Sequence, residues 1–291
     1  MLLATQRQPY KEQIHNYVQS HKEEIVETLK ELIKIPSVRS EAEENAPFGE
    51  ECARVLKFTQ KLYKSNGFET ELDVNGGYLL SYYGDDRKSL GLFAHADVVP
   101  VANDWTLTTP FEPIEKDGFL IGRGAMDDKS AVVTSLYCAK IIKELGIPFH
   151  SRLICFTGAN EESGMQDIKN YISAHTPPDF SLVADTGFPA YRGDKGILRF
   201  IATSPFVLKE IDNFRGGTAF NIILGEATAK YKDQVIAEKG ISKHGALPEG
   251  SLNAGYLLAK KLLENKDLCK EDKTQIGFVA DTLEKYYGEV F

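Results

Sequence analysis

The sequence predicts an α/β fold followed by a smaller α+β domain, and three observations carry that prediction. Compact apolar runs end abruptly in acidic or imidazole side chains at three places: residues 90–94 lead into His95-Ala96-Asp97, residues 152–156 are followed by Glu161-Glu162, and residues 182–184 lead into Asp185. Stretches of helical periodicity lie among those runs. Beyond Gly196 the pattern resets into shorter strand-like and helix-like pieces. Buried strands that reach the carboxyl edge of an open α/β sheet deliver their last residues where ligands gather, so the repeated endings predict one shared site.

In chain order, apolar residues recur at helical spacing over 10–35 until Pro36 ends the pattern, which predicts one or two amphipathic helices. His15 and His21 sit there among Lys and Glu and are expected to be solvated. A helix over 49–65 precedes the Asn66-Gly67 turn, and strands are predicted over 70–74, 78–83 and 90–94. A helix over 130–145, a strand over 152–156, a helix over 168–174 and a short strand over 182–184 complete the first domain, residues 1–195. A hinge near 193–196 leads to residues 196–291, with a strand over 198–202, a helix after Asn221, a strand over 235–237 and a helix over 252–263.

The chain has 291 residues and 42% hydrophobic content, enough for a large core and of a length that commonly divides into two domains. A net charge of −8 without a concentrated basic surface argues against nucleic acid and anionic membrane as partners. The N-terminus lacks a signal-length apolar run, and no stretch reaches the length needed to cross a bilayer, so a cytoplasmic protein is expected. Cys52, Cys138, Cys155 and Cys269 form no CxxC pair and are expected to be buried free thiols.

The candidate chemistry is metal binding. A hydrolytic zinc site needs nitrogen and oxygen ligands with one position left open, and a two-metal site adds a bridging carboxylate. His95, Asp127, Glu162 and Asp185, spaced 32, 35 and 23 residues apart, supply that inventory. Asp97 stands two residues from His95 in an extended segment, where its carboxylate can hold the other imidazole nitrogen and fix the tautomer. A lone histidine after a strand is more often a surface residue; the surrounding carboxylates favour the ligand reading. Asp128, at a helix start, can serve simply as an N-cap. Adjacent Glu161 and Glu162 can point apart, one toward a metal and one toward its water as general base. Glu43-Glu44, without such surroundings, reads as a solvated acidic pair.

HADVVP (95–100), Trp105, Pro110-Phe111, GRGAMDDKSA (122–131), GANEESG (158–164) and DTGFP (185–189) together resemble the dinuclear zinc metallopeptidase family of aminoacylase, glutamate carboxypeptidase and peptidase V, over about 14–263. Within it the chain most resembles the peptidase V-like dipeptidases. The resemblance implies a mixed-sheet, phosphorylase/hydrolase-like catalytic domain and a partial α+β lid domain. It implies two zinc ions per complete site, or cobalt or manganese in the same positions. His95 and Asp185 would bind one ion, Asp127 would bridge, and Glu162 would bind the second. Glu161 would be the general base, Asp97 would orient His95, and the Asp127–Asp128 peptide would be cis. In the lid, His244 of His244-Gly245-Ala246 would stabilise the oxyanion and contact substrate, and Asn221 of GGTAFN would bind substrate. Ser130 departs from the family's usual glycine, and Asn160 from its usual acidic residue.

The family's last metal-binding histidine would follow the lid, and no histidine follows His244 in this sequence. The expectation is a chain truncated at its C-terminus, self-associating or complemented by another chain that supplies the remainder. The expected reaction is hydrolysis of dipeptides with a free N-terminus. The alternatives are an N-acyl amino acid deacylase and a catalytically impaired truncated fragment.

Overall fold

A computed structural model describes residues 8–85, 88–101, 105–185, 187, 191, 193, 196, 201–217, 222–245 and 247–286. Contacts divide the chain into two units, Met1–Tyr191 and Arg192–Phe291.

The first unit begins with α1 (Gln8–Ser20), α2 (Lys22–Ile33) and α3 (Glu50–Ser65). It continues through β1 (Glu69–Asp73), β2 (Tyr78–Tyr83), β3 (Ser89–His95), the hairpin β4 (Ile114–Lys116) and β5 (Phe119–Ile121), and α4 (Lys129–Glu144). After β6 (Arg152–Gly158) come a 3₁₀ turn at Glu161–Ser163, α5 (Gln166–Ala174) and β7 (Phe180–Val183). The five-stranded sheet has the order β1-β2-β6-β3-β7. Its β1-β2 and β2-β6 pairs are antiparallel and its β6-β3 and β3-β7 pairs parallel, so the sheet is mixed.

Alternation along the strands sets the two faces. Leu79, Leu153 and Cys155 join Leu32, Val55, Leu56, Tyr63, Val132 and Leu136 in the main core under the helices. Their sequence neighbours Tyr78, Leu80, Ile154 and Phe156 turn to the other face and pack with Tyr171 of α5. Both central strands are therefore apolar at nearly every position. In the parallel register His95 pairs with Gly158, which brings the ends of β3 and β6 level at the same edge.

The second unit holds an antiparallel sheet β10-β9-β8, built from β8 (Ile211–Gly216), β9 (Glu226–Tyr231) and β10 (Gln234–Lys239), with α6 (Ala254–Leu263) and α7 (Lys270–Tyr286). Its core joins Ala227, Ala229 and Tyr231 to Ala254, Leu258 and Leu262, and to Ile276 and Ala280.

The structure corrects several element expectations. The stretch after Asn221 contains β9, not a helix: burying every second residue of EATAKY against α6 and α7 overrides the helix propensity of Ala, Glu and Lys. Residues 201 and 202 carry no strand, and the rest of 198–202 lies outside the described residues. The hairpin β4–β5, strand β8 and helix α7 were not foreseen. Cys52 and Cys155 are buried thiols, but Cys138 is exposed, one turn from exposed Thr134 on α4, and Cys269 is half-buried. His15 is exposed as expected, whereas half-buried His21 stacks on Tyr17 with ring centroids 3.9 Å apart. No helix among the described residues is long and apolar enough to cross a membrane.

Candidate metal centre

The first unit gathers His95, Asp97, Asp127, Glu161, Glu162 and Asp185 around the ends of β3, β6 and β7. His95 closes β3 and is 3% exposed. After it the chain leaves the sheet: the Ala96 N–H donates to Gly158 O at 2.8 Å and the Val98 N–H to Ser37 O at 3.0 Å. Glu161 and Glu162 occupy the 3₁₀ turn after β6. Buried Asn160 shapes that turn, since its Nδ2 donates to Ser163 Oγ at 2.6 Å and its Oδ1 accepts the Gln166 N–H at 3.0 Å. Arg39 Nη1 donates to Ser163 O at 2.7 Å from outside.

Two triads have ligand atoms mutually within 4.8 Å, His95–Glu161–Asp185 and His95–Asp127–Glu162. His95 is their common corner. Its Nε2 lies 3.1 Å from Asp127 Oδ1, 3.7 Å from Asp185 Oδ2 and 3.8 Å from Glu161 Oε2. At that distance Asp127 attracts it as a charge, and among the described residues Nε2 is a buried nitrogen without a hydrogen-bond partner. A nitrogen so placed, facing carboxylates from three separate segments, fits a divalent cation.

Asp97, 1% exposed, does more than the sequence suggested. Its carboxylate accepts the N–H groups of Glu161 and Glu162, each at 3.1 Å, and so holds the glutamate turn. His95 Nδ1 is 3.0 Å from the main-chain carbonyl of Asp97 and 3.4 Å from its carboxylate. The residue therefore orients His95 chiefly through its backbone.

The Asp127–Asp128 peptide is cis, as the family resemblance implies. Asp128 stands at the N-cap of α4 without capping it; its buried carboxylate accepts the His95 N–H at 3.2 Å, and among the described residues its Oδ1 has no hydrogen-bond partner. The expected cap is thus diverted to the strand that carries His95.

Burial opposes a charge on His95, but Asp127, Asp185 and Asp97 outweigh it and raise its pKa far above the ordinary range. The same His95 holds the Asp127 carboxyl below its usual range. Burial, then the charge of Asp127, pushes Glu162 up to about 7. Burial, with Asp185, Asp97 and Asp127, also raises Glu161. Burial pushes Asp128 up to about 8. The upward shifts of Glu161, Glu162 and Asp128 come first from burial and then from neighbouring carboxylates, which leaves the site with excess negative charge. A bound cation would neutralise that excess.

His244 belongs to the second unit, where it is exposed and forms an isolated antiparallel bridge with Ile222. Asn221 lies outside the described residues. A third group, Glu210–Cys269–Asp272, also has ligand atoms within 4.8 Å. Its carboxylates are engaged by main-chain N–H groups: Asp272 accepts those of Lys209 and Glu210, and Glu210 accepts that of Cys269 at 2.6 Å.

A sequence model of the peptidase family M20/M25/M40 matches residues 91–256. The chain is 28% identical, over 313 aligned residues, to a provisionally named dipeptidase of Staphylococcus epidermidis (strain ATCC 12228 / FDA PCI 1200), covering 94% of this chain and 66% of that protein. A provisionally named dipeptidase of Staphylococcus aureus (strain MRSA252) is 29% identical over 302 residues, 90% of this chain and 63% of its own length. The chain thus spans less than two thirds of these relatives. The crystal structure of human carnosine dipeptidase 1 is similar in fold, with a TM-score of 0.53 and 23% identity over 60% of this chain and 41% of that one.

Proposed function

Because the chain belongs to the peptidase family M20/M25/M40, we propose that it hydrolyses the peptide bond of dipeptides with a free N-terminus, using two zinc ions held by His95, Asp127, Glu162 and Asp185. The family implies a divalent metal and a peptide substrate. The observation that carries the reading is the buried His95 Nε2, which has no hydrogen-bond partner among the described residues, at the shared corner of two carboxylate triads. Nitrogen and oxygen donors of this kind also suit cobalt and manganese.

His95 and Asp185 would hold one ion and Glu162 the other, with Asp127 reaching both. When bound, the ions supply Lewis acidity toward the carbonyl and lower the pKa of water. Glu161, raised in pKa by burial and its acidic neighbours, is suited to take the proton of the attacking water and return it to the leaving amine. Asp97 keeps Glu161 in place through the main chain and His95 in one tautomer. His244 is assigned to the oxyanion and Asn221 to substrate binding on the family resemblance of their lid motifs. The two-domain division into 1–195 and 196–291 and a cytoplasmic setting belong to the same proposal, as does association with a second copy.

The test compares zinc-loaded protein on a dipeptide and on its N-acetylated form, with Glu161→Gln beside wild type. We expect turnover of the free dipeptide alone, and a loss of roughly 10²–10⁴-fold in kcat for Glu161→Gln with metal content unchanged. Preference for the acetylated form would assign a deacylase. No turnover of either by a zinc-loaded chain would assign an impaired fragment.

A further inference from the structure

Lys129 follows the Asp127–Asp128 pair, is 0% exposed, and has no part in the mechanism above. Among the described residues its Nζ has no ion-pair partner, and it donates instead to Leu32 O at 2.9 Å and Ile35 O at 2.6 Å. These carbonyls lie at the end of α2, where they also accept the Ile35 and Ser37 N–H groups at 3.1 and 2.9 Å, so Lys129 adds a second donor to each. The same short segment is tied from another direction to the His95 loop. Ser37 Oγ donates to Ala96 O at 2.6 Å, and Ser37 O accepts the Val98 N–H at 3.0 Å. Residues 32–37 are therefore a common post to which both the His95 loop and the Asp127 loop are fastened.

The Lys129 side chain reaches that post through a path the sequence provides. Its N–H donates to Gly124 O at 3.1 Å, closing the loop that carries Asp127. Gly124 has φ +87°, and a Cβ there would come within 2.8 Å of Lys129 Cδ. Only glycine leaves room for the stem.

We propose that Lys129 is a positioning residue for the metal centre: by clamping the Asp127 loop to the end of α2, it sets Asp127 against His95. The proposal rests on the metal-ligand reading of Asp127. Its test measures zinc affinity by chelator competition, and folding of the metal-free protein by thermal unfolding, for wild type, Lys129→Met and Lys129→Arg. Second-layer contacts of metal sites typically govern 10–100-fold in affinity, so folded Lys129→Met should bind zinc about that much more weakly, while Lys129→Arg, which keeps the donors, should stay within about threefold of wild type. Unchanged zinc affinity in folded Lys129→Met overturns the proposal, as does an equal loss in folded Lys129→Arg. Should Lys129→Met not fold, Lys129→Gln takes its place in the same measurement. Failure of both to fold assigns Lys129 to stability alone and also overturns the proposal. Failure of wild type itself to bind zinc is a different result, because it removes the metal reading on which the clamp depends.

Discussion

At the scale of single residues, charge balance governs the site. Glu162 is pushed up to about 7 by burial and Asp127, against an ordinary glutamate near 4.3, so in the metal-free fold it contributes stability below about 4.3 that is lost as pH rises through about 7. His95, whose pKa is raised despite burial, contributes stability that is fully present below about 6.5 and declines above it. Asp127, held low, acts in the opposite sense, but only near and below its ordinary value of about 3.9. Glu162 thus lowers stability as pH rises toward about 7 and His95 takes over above about 6.5, so both act in the same sense between about pH 5 and 8. Thermal unfolding of the metal-free protein should therefore show a midpoint that falls across this window, and zinc should flatten the fall; a midpoint that rises with pH without metal would contradict the charge assignment. His95, Glu161, Glu162 and Asp185 were legible in the sequence because each ends or follows an apolar strand. Lys129 and Ser37 were not, because a bond to a main-chain carbonyl 97 residues away leaves no pattern in side-chain types. Asp128 looked like a cap because only the fold shows the His95 N–H within its reach.

At the scale of elements, the strands that build the site were the easiest to read. β3 and β6 are apolar at almost every position because both faces of the sheet are covered there, and their length separates them from helices. The second unit is harder. β9 is made of residues common in helices, and its strand character lies in the alternate burial of Ala227, Ala229 and Tyr231, a tertiary effect. Helix α7 lacks a strong apolar stripe and depends on α6 for its packing. The entry to α6 is better marked: the Asn253 side chain accepts the N–H groups of Gly255 at 2.9 Å and Tyr256 at 3.3 Å. Loss of such a cap costs about 1 kcal/mol, so Asn253→Ala should lower the stability of the second unit by that amount in chemical denaturation while leaving zinc affinity unchanged. A coincident loss of zinc affinity would show that the cap supports the metal centre as well.

At the scale of the whole molecule, the family and its α/β plan were legible from ordered motifs spread over much of the chain, whereas the placement of the candidate ligands depends on the mixed sheet bringing β3, β6 and β7 to one edge. The order β6-β3-β7 turns intervals of tens of residues into separations of a few ångströms around His95 Nε2. At this edge burial and neighbouring carboxylates raise Glu161, Glu162 and Asp128, an excess of negative charge that a bound cation would neutralise. Zinc content after exhaustive dialysis, for wild type and Asp127→Asn, tests this most directly. The Asp127 side chain is 62% exposed, so asparagine there should leave the packing intact. The account predicts zinc retained by the wild-type chain and a clear loss in Asp127→Asn; equal retention by both proteins, or none by wild type, would contradict it.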